Sequence, residues 1–239
     1  MQVSSTDAAA RGAGRASGVP GERTRIGVVG AGYWGPKLIR NFAALLEAEL
    51  VAVCDLDPSR LQEVGKQYPD VQLTTDYAAL LAGPAAAVAI ATPVNTHYTL
   101  VKQALLAGKH VLVEKPLTAR VREAAELVAL AEERGLMLMV GHTFLFEPAV
   151  EALRDLVRRG ELGDIWNVTM RRLNLGLFRP DVNVLWDLAP HDLSILLEVL
   201  GRPPIAVSAR GASHVQPGIQ DVAYIELRFP GNVMAHVHV

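Results

Sequence analysis

Short apolar, β-branched runs alternate along this chain with longer segments whose apolar residues recur every three or four positions. Ile26, Val28 and Val29 make the first run. Leu38, Ile39, Phe42, Leu45 and Leu46 then recur at helical spacing, and Pro36 is tolerated in the first turn, where an N–H has no intrahelical partner. The same reading predicts further strands at 50–54, 71–73, 86–91, 110–113 and 136–140. It predicts helices at 58–68 (on Leu61, Val64 and Tyr68), 78–81, 96–107 and 119–134, with Gly83, Gly108 and Gly135 as stops. Continuous apolar strands separated by helices imply an α/β fold, a parallel sheet covered on both faces. In such sheets a ligand lies beyond the strand C-termini, where the strand order switches. The residues ending the strands therefore become candidates: Asp55, Thr92-Pro93, Glu114-Lys115-Pro116 and Gly141-His142.

The pattern changes after His142. A helix is predicted at 147–159 on Val150, Leu153 and Val157, then a long alternating strand at 164–174. That strand has Ile165, Asn167, Thr169 and Arg171 on one face and Trp166, Val168, Met170 and Arg172 on the other. A helix at 188–200 carries Leu193, Leu196, Leu197 and Leu200 inward, and strands follow at 205–213, 221–229 and 233–239. This grammar predicts a second, α+β domain on an open, mainly antiparallel sheet. The division is a leader at 1–23, rich in Ala, Gly, Ser and Arg, without periodicity and read as disordered, then domains at 24–143 and 144–239. The sequence stops inside the last predicted strand. That strand is expected to form an apolar edge without a partner, and the chain to form a homo-oligomer through the open sheet.

Between the first strand and helix stands Gly30-Ala31-Gly32-Tyr33-Trp34-Gly35, with no spacer. Strand, GxGxxG, helix is the arrangement that binds a dinucleotide. Gly30 allows the tight turn, Gly32 lets the backbone approach a pyrophosphate, and Gly35 permits close helix–strand packing. The helix N-terminus offers free N–H groups and partial positive charge to the phosphates. Asp55 ends the second strand twenty residues past Gly35, where a carboxylate accepts hydrogen bonds from an adenosine ribose. It favours NAD over NADP by repelling a 2′-phosphate, and Arg60 is the nearby cation able to soften that preference. Tyr33 and Trp34 are expected to pack over the pyrophosphate turn and against the second domain.

A net charge of −2 and a pI near 6.4 give no electrostatic reason to expect nucleic acid or an anionic membrane as partner. The leader lacks the apolar core of a secretory signal, and no span reaches membrane-crossing length. Cys54 is the only cysteine, so no disulfide forms within the chain and a reducing cytoplasm fits best. In its apolar strand Cys54 reads as a small buried hydrophobe. His236 and His238 share one strand face, but with no third ligand they read as solvated positions, and no metal is expected.

Taken together, Gly30–Gly35, Ala91-Thr92-Pro93 followed by His97, Ala107-Gly108-Lys109-His110 leading to Glu114-Lys115-Pro116, and Asp187 four residues before His191 resemble the Gfo/Idh/MocA family. These are the glucose–fructose oxidoreductase and inositol dehydrogenase relatives, and the resemblance runs from Arg25 to the last residue. It implies a Rossmann domain for NAD or NADP, with Gly30, Gly32, Tyr33, Trp34, Gly35, Asp55, Thr92, Pro93, His97 and Glu114 at the cofactor. It also implies a second domain supplying a sugar site, with Lys115, Asp187 and His191 catalytic. Family members are longer, so the chain resembles one whose second domain is incomplete. Glu147 also precedes Pro148 where relatives often carry Asn.

The chemistry can be argued from the residues themselves. Oxidising a secondary alcohol by hydride transfer needs a base for the hydroxyl proton and a donor for the forming oxyanion. His191 suits the first, titrating near neutral pH. Lys115, ending a strand at the cofactor crevice, suits the second. Asp187, four residues before His191, is placed to orient the imidazole, or else serves only as a helix N-cap. His142 is a further substrate contact, and Arg171, Arg172, Asn174 and Arg179 form a basic lip suited to a polyol or a phosphorylated sugar. The wording GYWGPKLIRN, GHTFLFEP and WDLAPHD looks most like family members near nucleotide-sugar 3-dehydrogenases. The alternatives are an inositol or free-sugar dehydrogenase, and a catalytically silent NAD-binding regulator.

Overall fold

The computed structural model describes residues 23–173, 178 and 182–239. The first half alternates strand and helix: β1 (Thr24–Val29), α1 (Gly35–Ala44), β2 (Ala48–Cys54), α2 (Pro58–Gln67), β3 (Gln72–Thr74), α3 (Tyr77–Ala82), β4 (Ala87–Ile90), α4 (Val94–Leu106), β5 (His110–Val113), α5 (Val121–Arg134) and β6 (Leu138–Val140). The six strands are all parallel, in the order β3-β2-β1-β4-β5-β6. Successive side chains point to opposite faces, so each strand feeds two cores. Val29, Cys54, Val88 and Ile90 meet Leu80, Val101, Leu105 and Leu127 on one face. Val28, Val53 and Ala89 meet Ile39, Leu61 and Val64 on the other. This is why the strands read as unbroken apolar runs. The strand order reverses beside β1, so the crevice opens between the C-terminal ends of β1 and β4.

A 3-10 turn (Thr143–Phe146) leads into the second half: α6 (Pro148–Arg158), β7 (Asn167–Arg171), α7 (Val184–Asp187), α8 (Ala189–Leu200), β8 (Ala206–Ala212), β9 (Val222–Phe229) and β10 (Val233–His238). The strand order is β7-β10-β9-β8. On one face, Ile225, Leu227, Phe229, Ala235, Val237, Val168 and Met170 cluster with Ala189 and Leu196 of α8. Alternation along β9 makes every second residue buried, so its period was readable.

Three expectations for this half are corrected. The strand expected at 164–174 is only Asn167–Arg171 among the described residues, and Asn174 and Arg179 lie outside them. β10 is not an edge: it pairs antiparallel with β9 and parallel with β7, so β7 and β8 are the outer strands. A parallel partner arrives by a long crossover, which local alternation cannot announce. α7, a single turn capped by the Asn183 side chain on Trp186 N–H at 3.2 Å, is too short for periodicity to reveal. His236 and His238 face away from α8 and lie against Tyr224, at 5.8 and 4.2 Å between ring centroids.

Candidate active site

The glycine loop lies against the end of β4. Gly30 has φ +91°, and a Cβ on it would sit 2.7 Å from the Ala91 carbonyl oxygen. A Cβ on Gly35 would sit 1.9 Å from the Gly30 carbonyl oxygen, so α1 starts as close to the loop as backbone can. Gly32 differs: the nearest atom to its Cβ position is Arg60 Nη1 at 3.5 Å. Nothing in the protein itself demands a glycine there, and the space is left to the cavity.

That cavity, about 600 Å³, reaches from Asp55, Leu56 and Arg60 past Gly30, Gly32, Tyr33 and Trp34 to Thr92, Pro93 and Thr96. Asp55 is buried; its carboxylate accepts from Ala31 N–H at 2.6 Å and Asp57 N–H at 2.8 Å, tying the glycine loop to the end of β2. Arg60 Nη1 stands 3.6 Å from it. Burial, then the Asp55 and Asp76 charges, push the Cys54 thiol up to about 11, so it stays protonated in its core position. Lys37 lies over both loop aromatics, 4.3 Å from the Tyr33 and 3.7 Å from the Trp34 ring centroid. The start of α1 against the glycine loop, the gap at Gly32 and the carboxylate at β2 fit a dinucleotide.

Trp34 also borders a smaller pocket, shared with Thr92, Glu114, Lys115, Trp186 and Asp187, at the ends of β4 and β5. Here the two halves of the chain meet. Lys115 Nζ donates to the Asp187 carbonyl at 2.6 Å and to its carboxylate at 3.2 Å, across 72 residues of sequence. His191 lies in the first turn of α8, half-buried, with Nδ1 enclosed and without a hydrogen-bond partner among the described residues. Burial, then the charges of Lys115 and Arg172, hold its imidazole down to about 4, with Asp187 pulling weakly the other way. The ring is therefore neutral, a proton acceptor, throughout the neutral range. His142 Nδ1 is likewise enclosed and unpartnered; burial and Lys115 lower its pKa too. Burial raises the Glu114 carboxyl, with Lys115 and Lys37 opposing.

The sequence expectations meet this geometry unevenly. Lys115 and Asp187 meet at the smaller pocket, His191 and His142 lie within reach of the Lys115 charge, and Gly30, Gly32, Tyr33, Trp34, Asp55, Thr92 and Pro93 line the large cavity. The orienting role for Asp187 is not what forms. The helix breaks at Leu188, so Asp187 and His191 do not share one regular helix, and the carboxylate takes Lys115 instead. His97 is buried, its ring nitrogens 2.9 Å from the Pro116 and Thr92 carbonyls, and it borders the smaller pocket. Arg171 is removed from the pocket by strand alternation: Val168 and Met170 face α8, so Arg171 projects from the opposite face, beside His238. Thr96, whose hydroxyl lies 2.7 Å from that of Thr92, and Phe144, packed 4.9 Å from His191, were not singled out; no local pattern marks either.

Comparison with known proteins agrees with this architecture. Residues 24–142 match the oxidoreductase family with an NAD-binding Rossmann fold, and residues 150–239 match the GFO/IDH/MocA C-terminal domain. A UDP-N-acetylglucosamine 3-dehydrogenase of Acidithiobacillus ferrooxidans is 35% identical over 80% of this chain and 59% of its own length. The chain thus spans less than two thirds of that relative. Among solved structures, GenD2 from gentamicin A biosynthesis, in complex with NAD, superposes with TM-score 0.86 at 27% identity over 91% of this chain and 66% of that one. A putative myo-inositol dehydrogenase from Sinorhizobium meliloti 1021 superposes with TM-score 0.82 at 25% identity, over 90% and 68%. The chain belongs to the Gfo/Idh/MocA oxidoreductase family.

Proposed function

We propose that this chain is an NAD-dependent dehydrogenase acting on a secondary alcohol of a sugar, and that the sugar is nucleotide-linked. The observation that carries the reading is the Lys115–Asp187 contact, 2.6 and 3.2 Å, at the sheet end where the large cavity and the smaller pocket adjoin. Asp55, Arg60, the glycine loop and Thr92 would hold the dinucleotide, which when bound supplies a hydride acceptor. The remaining work falls to the chain's own residues. Lys115, placed by its contacts to Asp187, donates to the reacting oxygen and favours its alkoxide form. His191, whose ring is neutral, takes the hydroxyl proton. The half-buried pocket strengthens both interactions by excluding water. Asp55, already accepting two backbone N–H bonds, presents fixed negative charge to the ribose, so NAD is preferred over NADP.

The relative named a UDP-N-acetylglucosamine 3-dehydrogenase supports a nucleotide sugar. The similarity to a structure titled a putative myo-inositol dehydrogenase favours inositol or a free sugar as the second reading. Initial rates with UDP-N-acetylglucosamine, its unlinked sugar and inositols, each with NAD and NADP, separate the two. A kcat/KM highest for the nucleotide sugar with NAD is expected. Binding of NAD without turnover of any of them would instead favour a regulatory protein.

A further inference from the structure

The Asp187 carboxylate takes Lys115, and His191 Nδ1 has no hydrogen-bond partner among the described residues. Immediately next to it, in the same turn of α8, Asp192 is buried and accepts from Arg172 Nε at 2.7 Å and Nη2 at 3.2 Å. This two-bond fork fixes the plane of the guanidinium. Arg172 follows the last residue of β7, anchored by its own N–H on the His238 carbonyl at 2.9 Å. The same guanidinium carbon lies 4.5 Å above the Phe144 ring, and Phe144 meets the His191 ring edge-to-face at 4.9 Å, with 67° between planes. The imidazole is thus bracketed by a strand end, a 3-10 turn and its own helix through one continuous set of contacts.

We propose that Arg172 is the positioning residue for His191: gripped by Asp192 and laid on Phe144, its guanidinium fixes the orientation of the imidazole. The inference rests on the reading of His191 as the proton acceptor. A simple tie between β7 and α8 would also use the Arg172–Asp192 fork, but it would have no need of the Phe144 plate between the cation and the imidazole. The charged and titratable groups facing His191 are Lys115 beyond β5, Arg172 beyond β7, His142 before the 3-10 turn and Asp187 at the end of α7. Of these, Arg172 is the one that touches the ring packed on it.

The test uses Arg172→Lys, which keeps the charge and loses the planar fork, together with Phe144→Leu and Phe144→Tyr. Arg172→Lys and Phe144→Leu are each expected to lower kcat by roughly ten- to a hundredfold with little change in KM, while Phe144→Tyr retains near-normal kcat. In a His191→Ala background the Arg172→Lys effect should vanish, because the group being positioned is gone. Thermal melts establish that each variant folds. A separate arm follows the His191 ring by NMR in protein without substrate. Its resonances should shift and broaden in Arg172→Lys, and its titration midpoint should rise in Arg172→Met. If the protein turns over no sugar, the functional reading fails and the NMR arm alone decides Arg172. Ring resonances unchanged in all Arg172 and Phe144 variants, or an Arg172→Lys loss that persists undiminished without His191, would overturn the proposal.

Discussion

The second and third glycines of the loop make opposite predictions, and the contrast isolates the cofactor site from the fold. In Gly35→Ala the new methyl would lie 1.9 Å from the Gly30 carbonyl oxygen and 2.8 Å from its carbon, both backbone atoms that cannot swing aside. Helix and loop must separate by more than an ångström, costing about 3 kcal/mol or more. That lowers Tm by roughly 6–12 °C in a chain of this size. In Gly32→Ala the methyl meets only Arg60 Nη1 at 3.5 Å, an ordinary contact, and Gly32 is not in the left-handed region. Restricting the unfolded chain then adds about 0.4–1 kcal/mol of stability, so Tm holds or rises slightly. What Gly32→Ala must lose is the approach of the pyrophosphate: NAD affinity is expected to fall about 10- to 100-fold, or roughly 1.4–2.7 kcal/mol. Differential scanning fluorimetry reads the first quantity, and quenching of tryptophan fluorescence, with Trp34 on the loop, reads the second. A Gly32→Ala protein that binds NAD with wild-type affinity would refute the placement of the phosphates at this loop.

Three other consequences can be measured directly. Replacing His191 by Ala should cut kcat by about 10²–10⁴-fold, measured as initial rates, with NAD affinity little changed. Because His191 is held down to about 4 against an ordinary 6.5, kcat/KM should stay on its plateau well below pH 6.5 and fall only as pH nears about 4. The unfolded chain binds the proton that the folded one refuses between those two values, so this group makes stability fall as pH drops from 6.5 toward 4, and urea melts of His191→Gln should lose that part of the slope. Asp55→Ser should shift the ratio of NAD to NADP dissociation constants toward NADP. It should also destabilise the apo protein by about 1–3 kcal/mol, because Ala31 N–H and Asp57 N–H lose their charged acceptor.

What was legible in the sequence was whatever depends on neighbours in the chain. Strands β1, β2, β4 and β5 read clearly because both of their faces are buried, and the stops at Gly135 and Gly201 coincide with left-handed C-caps. Lys115, Asp55 and Thr92 were singled out because in a parallel sheet ligands gather at strand C-termini, and all three line the two cavities there. The illegible parts are products of tertiary pairing. β10 looked like an edge because its parallel partner β7 arrives from far upstream. Asp187 looked like the support of His191 because four-residue spacing assumes an unbroken helix, whereas Leu188 divides it and Lys115 competes for the carboxylate. Arg171 and Arg172, read on opposite strand faces, were still joined in one basic substrate lip; Arg172 instead meets Asp192 and Phe144, partners that no local pattern announces.

The central claim is that Lys115 and His191 act together on one sugar hydroxyl while NAD accepts the hydride. The most direct measurement follows the near-ultraviolet absorbance of reduced nicotinamide with NAD and UDP-N-acetylglucosamine deuterated at C3, in the wild type and in Lys115→Met. The account predicts reduced cofactor carrying the deuterium and a keto sugar in equal amount, with turnover in Lys115→Met about 10²-fold lower or less and NAD affinity retained. Near-normal turnover in Lys115→Met, or reduced cofactor without deuterium, would contradict it.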